Sequence, residues 1–203
     1  MRIAILGAGA IGGTIGRRLL QSGHDVVYGA RDPSSERYRE LSSTARVEGI
    51  PEAVGSAEAV VLAIPGSGVE ELLDASSASL DGKLLLDATN KLPGDRLHQV
   101  PLLEARLPAA RVFRAFNTLG WENFAEPVID GEVADLFYSG PDGDDRSAVE
   151  ELIASVGLRP VYVGAGAEGA DVLDGVARLW FALALGRGRG RHIAFRTLGL
   201  PSA

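Results

Sequence analysis

Residues 2–12, Arg2-Ile3-Ala4-Ile5-Leu6-Gly7-Ala8-Gly9-Ala10-Ile11-Gly12, decide the fold. A short apolar run ends on G-x-G-x-x-G spacing, and residues 11–20 then recur at helical intervals until Ser22-Gly23 stops them. Strand, glycine turn and helix in that order form the dinucleotide-binding fingerprint. Gly7 permits the tight turn, Gly9 lets backbone approach a pyrophosphate, and Gly12 lets the helix lie close to the strand. The helix N-terminus adds free N–H groups and a positive dipole end.

Working outward, the alternation repeats. Residues 25–29 read as a second strand, 34–42 as a helix, and 59–64 as a buried parallel strand ended by Pro65. A helix is expected at 69–76 and another buried strand at 83–88. Further strands are expected at 112–116, 136–139 and 160–163, with an amphipathic helix at 145–156. The helix at 171–185 is hydrophobic nearly all round and calls for cover on most sides. Gly186-Arg187-Gly188-Arg189-Gly190-Arg191 ends it, before a last short helical stretch at 193–198. The fold class implied is α/β: a Rossmann doubly wound, mainly parallel sheet with a small C-terminal extension. Residues 1–163 form the NAD(P)-binding domain in this division, and 164–203 a helical extension that completes the acceptor site. A small domain leaves few surfaces to cover the apolar helix, so a homodimer burying Trp180 or Phe181 is expected.

The 203 residues suffice for one domain with an appendage, and 46% hydrophobic with 23% charged residues is ordinary globular composition. No apolar run reaches the roughly 18 residues of a membrane span. The first residues enter the glycine turn rather than a cleavage site, so no membrane partner and a cytoplasmic address are expected. The absence of Cys removes disulfides and thiolate chemistry, and His24, His98 and His192 are too scattered for ligand spacing, so no metal is expected. A net charge of −7 argues against nucleic acid as a partner. Residues 175–203 nevertheless hold five arginines and no acid. They read either as a solvated helix end or as an anion site.

The second strand of an NAD enzyme normally ends in an acid that takes the ribose hydroxyls. Here Tyr28-Gly29-Ala30-Arg31 occupies that place, with Arg31 standing 19 positions after Gly12. A guanidinium can grip a 2′-phosphate bidentately, and no carboxylate ends this strand to repel it. Ser34 and Ser35 offer hydroxyls and Arg37 further charge, whereas Pro33 turns Asp32 into a loop residue. NADP(H) is the expected cofactor.

These residues, with Ala63-Ile64-Pro65, Asp87-Ala88-Thr89-Asn90, Ala115-Phe116-Asn117-Thr118, Leu179-Trp180 and Ala194-Phe195, give a chain that resembles the coenzyme F420-dependent NADP oxidoreductases along nearly its whole length. The related oxidoreductase domain of STEAP-type reductases is similar. The resemblance implies a commonly dimeric Rossmann domain in which NADP(H) and a deazaflavin or flavin stack in one cleft and hydride passes directly between them. It also implies that Ala8, Gly9, Ala10 and Ile11 contact the pyrophosphate, Ala30 and Arg31 the 2′-phosphate, and Ile64, Pro65 and Asn90 the nicotinamide half, with Asn117 near the reacting rings. Archaeal members often carry a His at the place of Asn117, and a lysine is often found near Ser35 in the family, so the phosphate here rests more on Arg31.

Hydride transfer between two cofactor rings needs positioning rather than an acid–base dyad. Asn90 and Asn117 each follow a strand's carboxyl end, where open α/β sheets bind ligands, although an Asx-type loop cap would explain either. Thr118 and Trp121 are candidates for the acceptor side, Trp121 alternatively being simple packing. Arg187, Arg189 and Arg191 are candidates for the acidic tail of F420. His24 and His98 read as surface residues, and His192 as an anion donor or a loop cap. Asp87 reads as a loop-structuring carboxylate without an evident partner. Two further functions remain open: a β-hydroxyacid or imino-acid reductase, which usually needs a long second domain, and an NADP(H)-binding redox sensor without turnover.

Overall fold

In the computed structural model, which describes residues 1–199, β1 (Arg2–Leu6) runs through the glycine turn into α1 (Ala10–Gln21). The chain then lays down β2 (Asp25–Ala30), β3 (Arg46–Gly49), α2 (Ile50–Gly55), β4 (Ala59–Leu62), α3 (Val69–Leu80) and β5 (Leu84–Asp87). Next come α4 (Val100–Arg106), β6 (Arg111–Arg114), α5 (Trp121–Ala125) and a hairpin of β7 (Val128–Ile129) and β8 (Glu132–Val133). The last elements are β9 (Asp135–Tyr138), α6 (Asp145–Val156), β10 (Arg159–Tyr162) and α7 (Gly166–Phe181), which ends in one π turn at Ala182–Gly186.

Six strands make one parallel sheet in the order β3-β2-β1-β4-β5-β6, the doubly wound order expected. β9 and β10 pair in parallel beside it, and an antiparallel bridge between Arg114 and Ser139 ties them to β6. Side chains of β1 alternate between two cores. Ile3 and Ile5 join Ile15 of α1 and Ile153 of α6, while Ala4 and Leu6 join Val54 of α2 and Leu73 of α3. Burial on both faces makes the central strands read as continuous apolar runs.

Register sets the functional edge. Leu6 pairs with Gly29 and Leu62, Leu62 with Asp87, and Asp87 with Arg114, so these residues form one row near the carboxyl ends of five strands. Because the strands are parallel, the segments that follow, carrying Gly7, Arg31, Ile64, Asn90 and Asn117, emerge along one rim.

Several expectations change. Residues 34–42 are not a helix but two 3-10 turns at Glu36–Tyr38 and Leu41–Ser43. Apart from Tyr38 and Leu41 the stretch has little apolar surface to dock on the sheet, and short helices do not hold without docking. Residues 193–198 form no helix either, because their backbone groups bond to distant partners instead. The C-terminal helix starts earlier than expected, at Gly166, and it is not covered all round: Val172, Leu179 and Leu185 are more than half exposed. The 164–203 extension is helical only in part, and residues 200–203 lie outside the described residues. Sequence reading passed over β3, α2, α4, α5 and the β7–β8 hairpin. α2 and α4 both carry Pro in the first turn, and Asp130-Gly131, at φ 52° and 83°, is a hairpin-turn dipeptide.

The C-terminal segment is fastened by Asp135, the first residue of β9. Its carboxylate takes hydrogen bonds from Arg159 Nε (2.6 Å), Arg159 Nη2 (2.8 Å) and the Thr197 N–H (2.6 Å), with Arg196 Nη1 at 3.4 Å, and its own N–H donates to the Phe195 carbonyl. Burial alone would raise this carboxyl, but the Arg159 and Thr197 hydrogen bonds outweigh it and hold it below the usual carboxylate range. A depressed carboxyl lends stability that is present above its unfolded value, near about 3.9, and is lost as pH falls through its lower folded value. As pH falls below about 4 and on through that lower value, the segment is therefore expected to come free. Trp180, whose Nε1 donates to the Ile193 carbonyl at 2.9 Å, reports it. In a Trp121→Phe background the indole emission should shift to the red before the far-ultraviolet signal falls, and simultaneous loss of both would refute the assignment.

Candidate cofactor and hydride-transfer site

At the glycine turn, Gly7 has φ +106°, and a Cβ there would run into the Ala63 carbonyl. A Cβ on Gly12 would overlap the Gly7 carbonyl oxygen, so this glycine exists for packing. Gly9 differs from both. Its φ of −73° suits any residue, and a Cβ there would meet nothing within 4 Å. Neither conformation nor packing asks for glycine, and the missing side chain leaves an open cradle over the start of α1. The first helical bond runs from Gly13 N–H to the Gly9 carbonyl, so the N–H groups of Ala10, Ile11 and Gly12 have no helical acceptor. No side chain caps this end and no acid sits in its first turn, which leaves its positive end for an anion.

On the β2 side, Ala30 is buried and Arg31 projects from the strand end with its side chain 78% exposed. Asp32 turns back on its own loop, accepting from the Ser34 N–H and hydroxyl, as expected of a loop residue. Ser35 is exposed beside the first 3-10 turn. The sequence did not reveal Glu71. This carboxylate, from the first turn of α3, accepts from Arg31 Nη1 at 2.6 Å, so an acid does reach Arg31, from across the rim rather than from the strand end. Where a helix was expected, the 3-10 turns leave a cavity of about 990 Å³ along α1, lined by Gly9, Ala10, Arg17, Tyr28, Arg37 and Trp121 among others.

The opposite end of the rim holds Ile64, Pro65, Asn90 and Asn117. Ile64 packs at the edge of the second core, and Pro65 opens the 3-10 turn before α3. Asn90 Nδ2 donates to the Asn117 carbonyl (3.0 Å), and its Oδ1 accepts from Arg114 Nη2 (2.8 Å). Asn117 follows Phe116, a non-glycine residue at φ +63°, a conformation that persists only where surroundings enforce it. The Asn117 side chain is 3% exposed, yet neither its oxygen nor its nitrogen has a hydrogen-bond partner among the described residues, and the buried Thr118 hydroxyl likewise has none. Buried polar side chains are ordinarily paired, and these two stand out because they are not.

Behind this rim lies a charge network that sequence reading missed. Arg114, fully buried, donates to Asp87 Oδ2 (2.9 Å), the Thr89 carbonyl (2.8 Å), Asn90 Oδ1 (2.8 Å) and Asp174 Oδ1 of α7 (3.1 Å). Asp87 thus has a partner after all. An arginine closing a short strand whose middle is apolar, in register with an acid ending the neighbouring strand, was the available signal. His98 is buried rather than on the surface. Its Nδ1 accepts from the Val100 N–H and its Nε2 donates to Asp171 (2.9 Å), while Asp174 Oδ2 accepts from the N–H groups of Leu97 and His98. The Asp171 carboxyl is held below the usual range by His98 first and by Arg96. Donors of this chain already occupy the oxygens of both carboxylates, so the cluster fastens the 92–98 loop to α7.

Trp121 opens α5 beside the glycine turn, 38% exposed, and lines the cavity on α1. Trp180 lies inside the chain, 2% exposed, against Gly120 and under the Arg191 guanidinium at 5.3 Å, which corrects its expected place in an interface. Arg191 also pairs with Glu122, so the three candidate arginines are not equivalent: Arg187 and Arg189 are exposed, whereas Arg191 is engaged. His192 Nε2 lies 2.8 Å from the Glu126 carbonyl, which fits a loop cap, and His24 Nε2 lies 2.9 Å from the Ser155 hydroxyl.

Known proteins similar to this chain are reductases and dehydrogenases. Residues 2–91 match the model of the family described as NADP oxidoreductase, coenzyme F420-dependent. That N-terminal segment is similar to the family. The metalloreductase STEAP3 of Rattus norvegicus is 30% identical over 176 residues, which is 84% of this chain and 35% of that protein. The F420-dependent NADP reductase of Methanothermobacter thermautotrophicus is 27% identical, over 99% of this chain and 96% of its own. Among solved structures, one assigned as an F420-dependent NADP-reductase from Arthrobacter sp. FB24 superposes with a TM-score of 0.83 at 23% identity, covering 97% of this chain and 99% of that one, and so shares the fold. The chain spans 35% to 60% of the length of the first curated relatives it matches. No helix among the described residues is long and apolar enough to cross a membrane.

Proposed function

We propose that this protein is an oxidoreductase that passes hydride between NADP(H) and the deazaflavin of coenzyme F420, the two rings meeting at the rim beside Asn117. The observation that carries this reading is the dry, unpaired amide of Asn117 with the Thr118 hydroxyl, on the same rim as the glycine turn and its open cradle at Gly9. In this reading Ala8 to Gly12 hold the pyrophosphate, Ala30, Arg31 and Ser35 the adenosine 2′-phosphate, and Ile64, Pro65 and Asn90 the nicotinamide ribose and ring. Asn117 and Thr118 orient the reacting rings, and Trp121 borders the acceptor. The nicotinamide and deazaflavin supply the redox chemistry, and the chain supplies alignment and exclusion of water. Single-turnover oxidation of bound NADPH by F420, FMN and FAD tests the assignment. Decay of the nicotinamide absorbance with F420 is expected. Rapid decay with FMN or FAD but none with F420 would move the activity to a flavin reductase. No decay with any acceptor would leave an NADP(H)-binding sensor.

The acidic tail of F420 is assigned to Arg187 and Arg189, the exposed pair beyond α7, with Arg191 contributing only if it leaves Glu122. Replacing Arg187 and Arg189 with Gln is expected to raise the F420 KM by roughly fivefold at low salt and to flatten its salt dependence, with NADPH affinity unchanged. Unaltered KM would remove the tail from this loop. The exposed apolar residues Val172 and Leu179 of α7 are the proposed homodimer contact, and sedimentation as a monomer at micromolar concentration would discard it.

A further inference from the structure

We infer that Arg114 is a positioning residue for the nicotinamide end of the site, acting through Asn90 on Asn117. This rests on the reading of that rim as the NADP(H) site. A buried guanidinium facing two carboxylates, Asp87 and Asp174, already has its charge more than compensated, and a purely structural ion pair would ask nothing more of it. Nη2 nevertheless spends a donor on Asn90 Oδ1 at 2.8 Å. An Asn side chain has nearly the same shape in both amide orientations, and its partners choose between them. Arg114 carries donors only. It therefore dictates that the Asn90 oxygen faces inward and the nitrogen outward, which is the orientation that lets Nδ2 donate to the Asn117 carbonyl at 3.0 Å.

That carbonyl belongs to the residue following Phe116, whose φ of +63° is unfavourable for a bulky side chain. Phe116 is packed edge-on against Phe124, 5.6 Å between centroids, and the Asn90 bond fastens the carbonyl one residue on. The consequence appears one residue on. The Asn117 amide, its carbonyl fastened and its backbone bent, points its oxygen and nitrogen at no group among the described residues. Arg114 thus transmits a fixed direction through Asn90 to a residue with which it shares no hydrogen bond. Since Asp174 of α7 shares the same guanidinium, the C-terminal helix is built into that geometry.

The test compares two ligands of one site. Adenosine 2′,5′-bisphosphate fills only the half of the rim near Arg31, whereas NADPH also reaches Asn90 and Asn117. In Arg114→Lys an ammonium keeps a charge between the carboxylates and loses the planar fork to Asn90. The NADPH Kd is expected to rise about tenfold with loss of the nicotinamide emission enhancement, while the bisphosphate Kd stays within about twofold. In an Asn90→Leu background Arg114→Lys should change NADPH binding no further, because its route to Asn117 is already cut. Should Arg114→Lys not fold, Asn90→Asp carries the test: it keeps an acceptor for Arg114 but sets a charged oxygen, in place of the donor, against the Asn117 carbonyl, and is expected to show the same selective loss. Equal weakening of both ligands, or of neither, in a folded variant overturns the inference while the NADP(H) reading stands. A wild-type protein that binds neither ligand overturns both.

Discussion

Gly9→Val is expected to abolish NADPH binding while leaving the protein as stable as before. The backbone at Gly9 suits any residue and its Cβ direction is empty, so the folded chain has no objection to a side chain there. A pyrophosphate does, since the valine methyl groups would occupy the space above the α1 N–H groups. A loss of at least 100-fold in Kd, about 2.7 kcal/mol, is expected with the Tm within about 2 °C of wild type. Gly12→Ala should do the reverse. Its Cβ overlaps the Gly7 carbonyl, backbone against backbone, and no rotamer relieves that. Overpacking of this kind costs about 3 kcal/mol or more, a fall in Tm of roughly 10 °C for a chain of this size. Thermal melts and nucleotide titrations on both variants separate the two roles. A destabilised Gly9→Val with intact binding would show that the cradle is not where the phosphates lie.

Arg31→Ala should reduce the preference for NADPH over NADH by one to two decades. A charge-assisted contact to a phosphate is worth about 1.5–3 kcal/mol, and NADH has no phosphate to lose. Glu71 adds a counter-prediction. Its bond to Arg31 joins two side chains that are both mostly exposed, so the pair contributes at most about 1 kcal/mol. Glu71→Gln should therefore tighten NADPH by up to about fivefold, and leave NADH nearly unchanged. Equal Kd values for the two nucleotides in the unmutated protein would take Arg31 out of the specificity argument.

What was legible in the sequence follows from how information is stored along the chain. The strand, glycine turn and helix at residues 2–21 are local, since each glycine's task is set by neighbours within a few positions. The central strands β4 and β5 were legible because both their faces are buried and nothing polar interrupts them. Arg114 and His98 were not, because their partners lie 27, 60 and 73 residues away in sequence and only the folded register joins them. Glu71 reaches Arg31 across 40 residues for the same reason. At 193–198 apolar spacing suggested a helix, but Asp135 and Trp180 offered better partners to that backbone than its own turns did.

The stretch between β2 and β3 has a thermodynamic consequence. Its backbone hydrogen bonds, from Ser35 to Ala45, reach only three or four residues back and none crosses to the sheet. Such a segment opens without disturbing the parallel core, so its amides should exchange with solvent orders of magnitude faster than those of β1 or β4. Arg37 and Tyr38 nonetheless line the cavity that begins at Gly9. A ligand gripping them would have to still a part of the chain that is nearly free, and its binding would show a heat release larger than its affinity, offset by the entropy of the ordered turns.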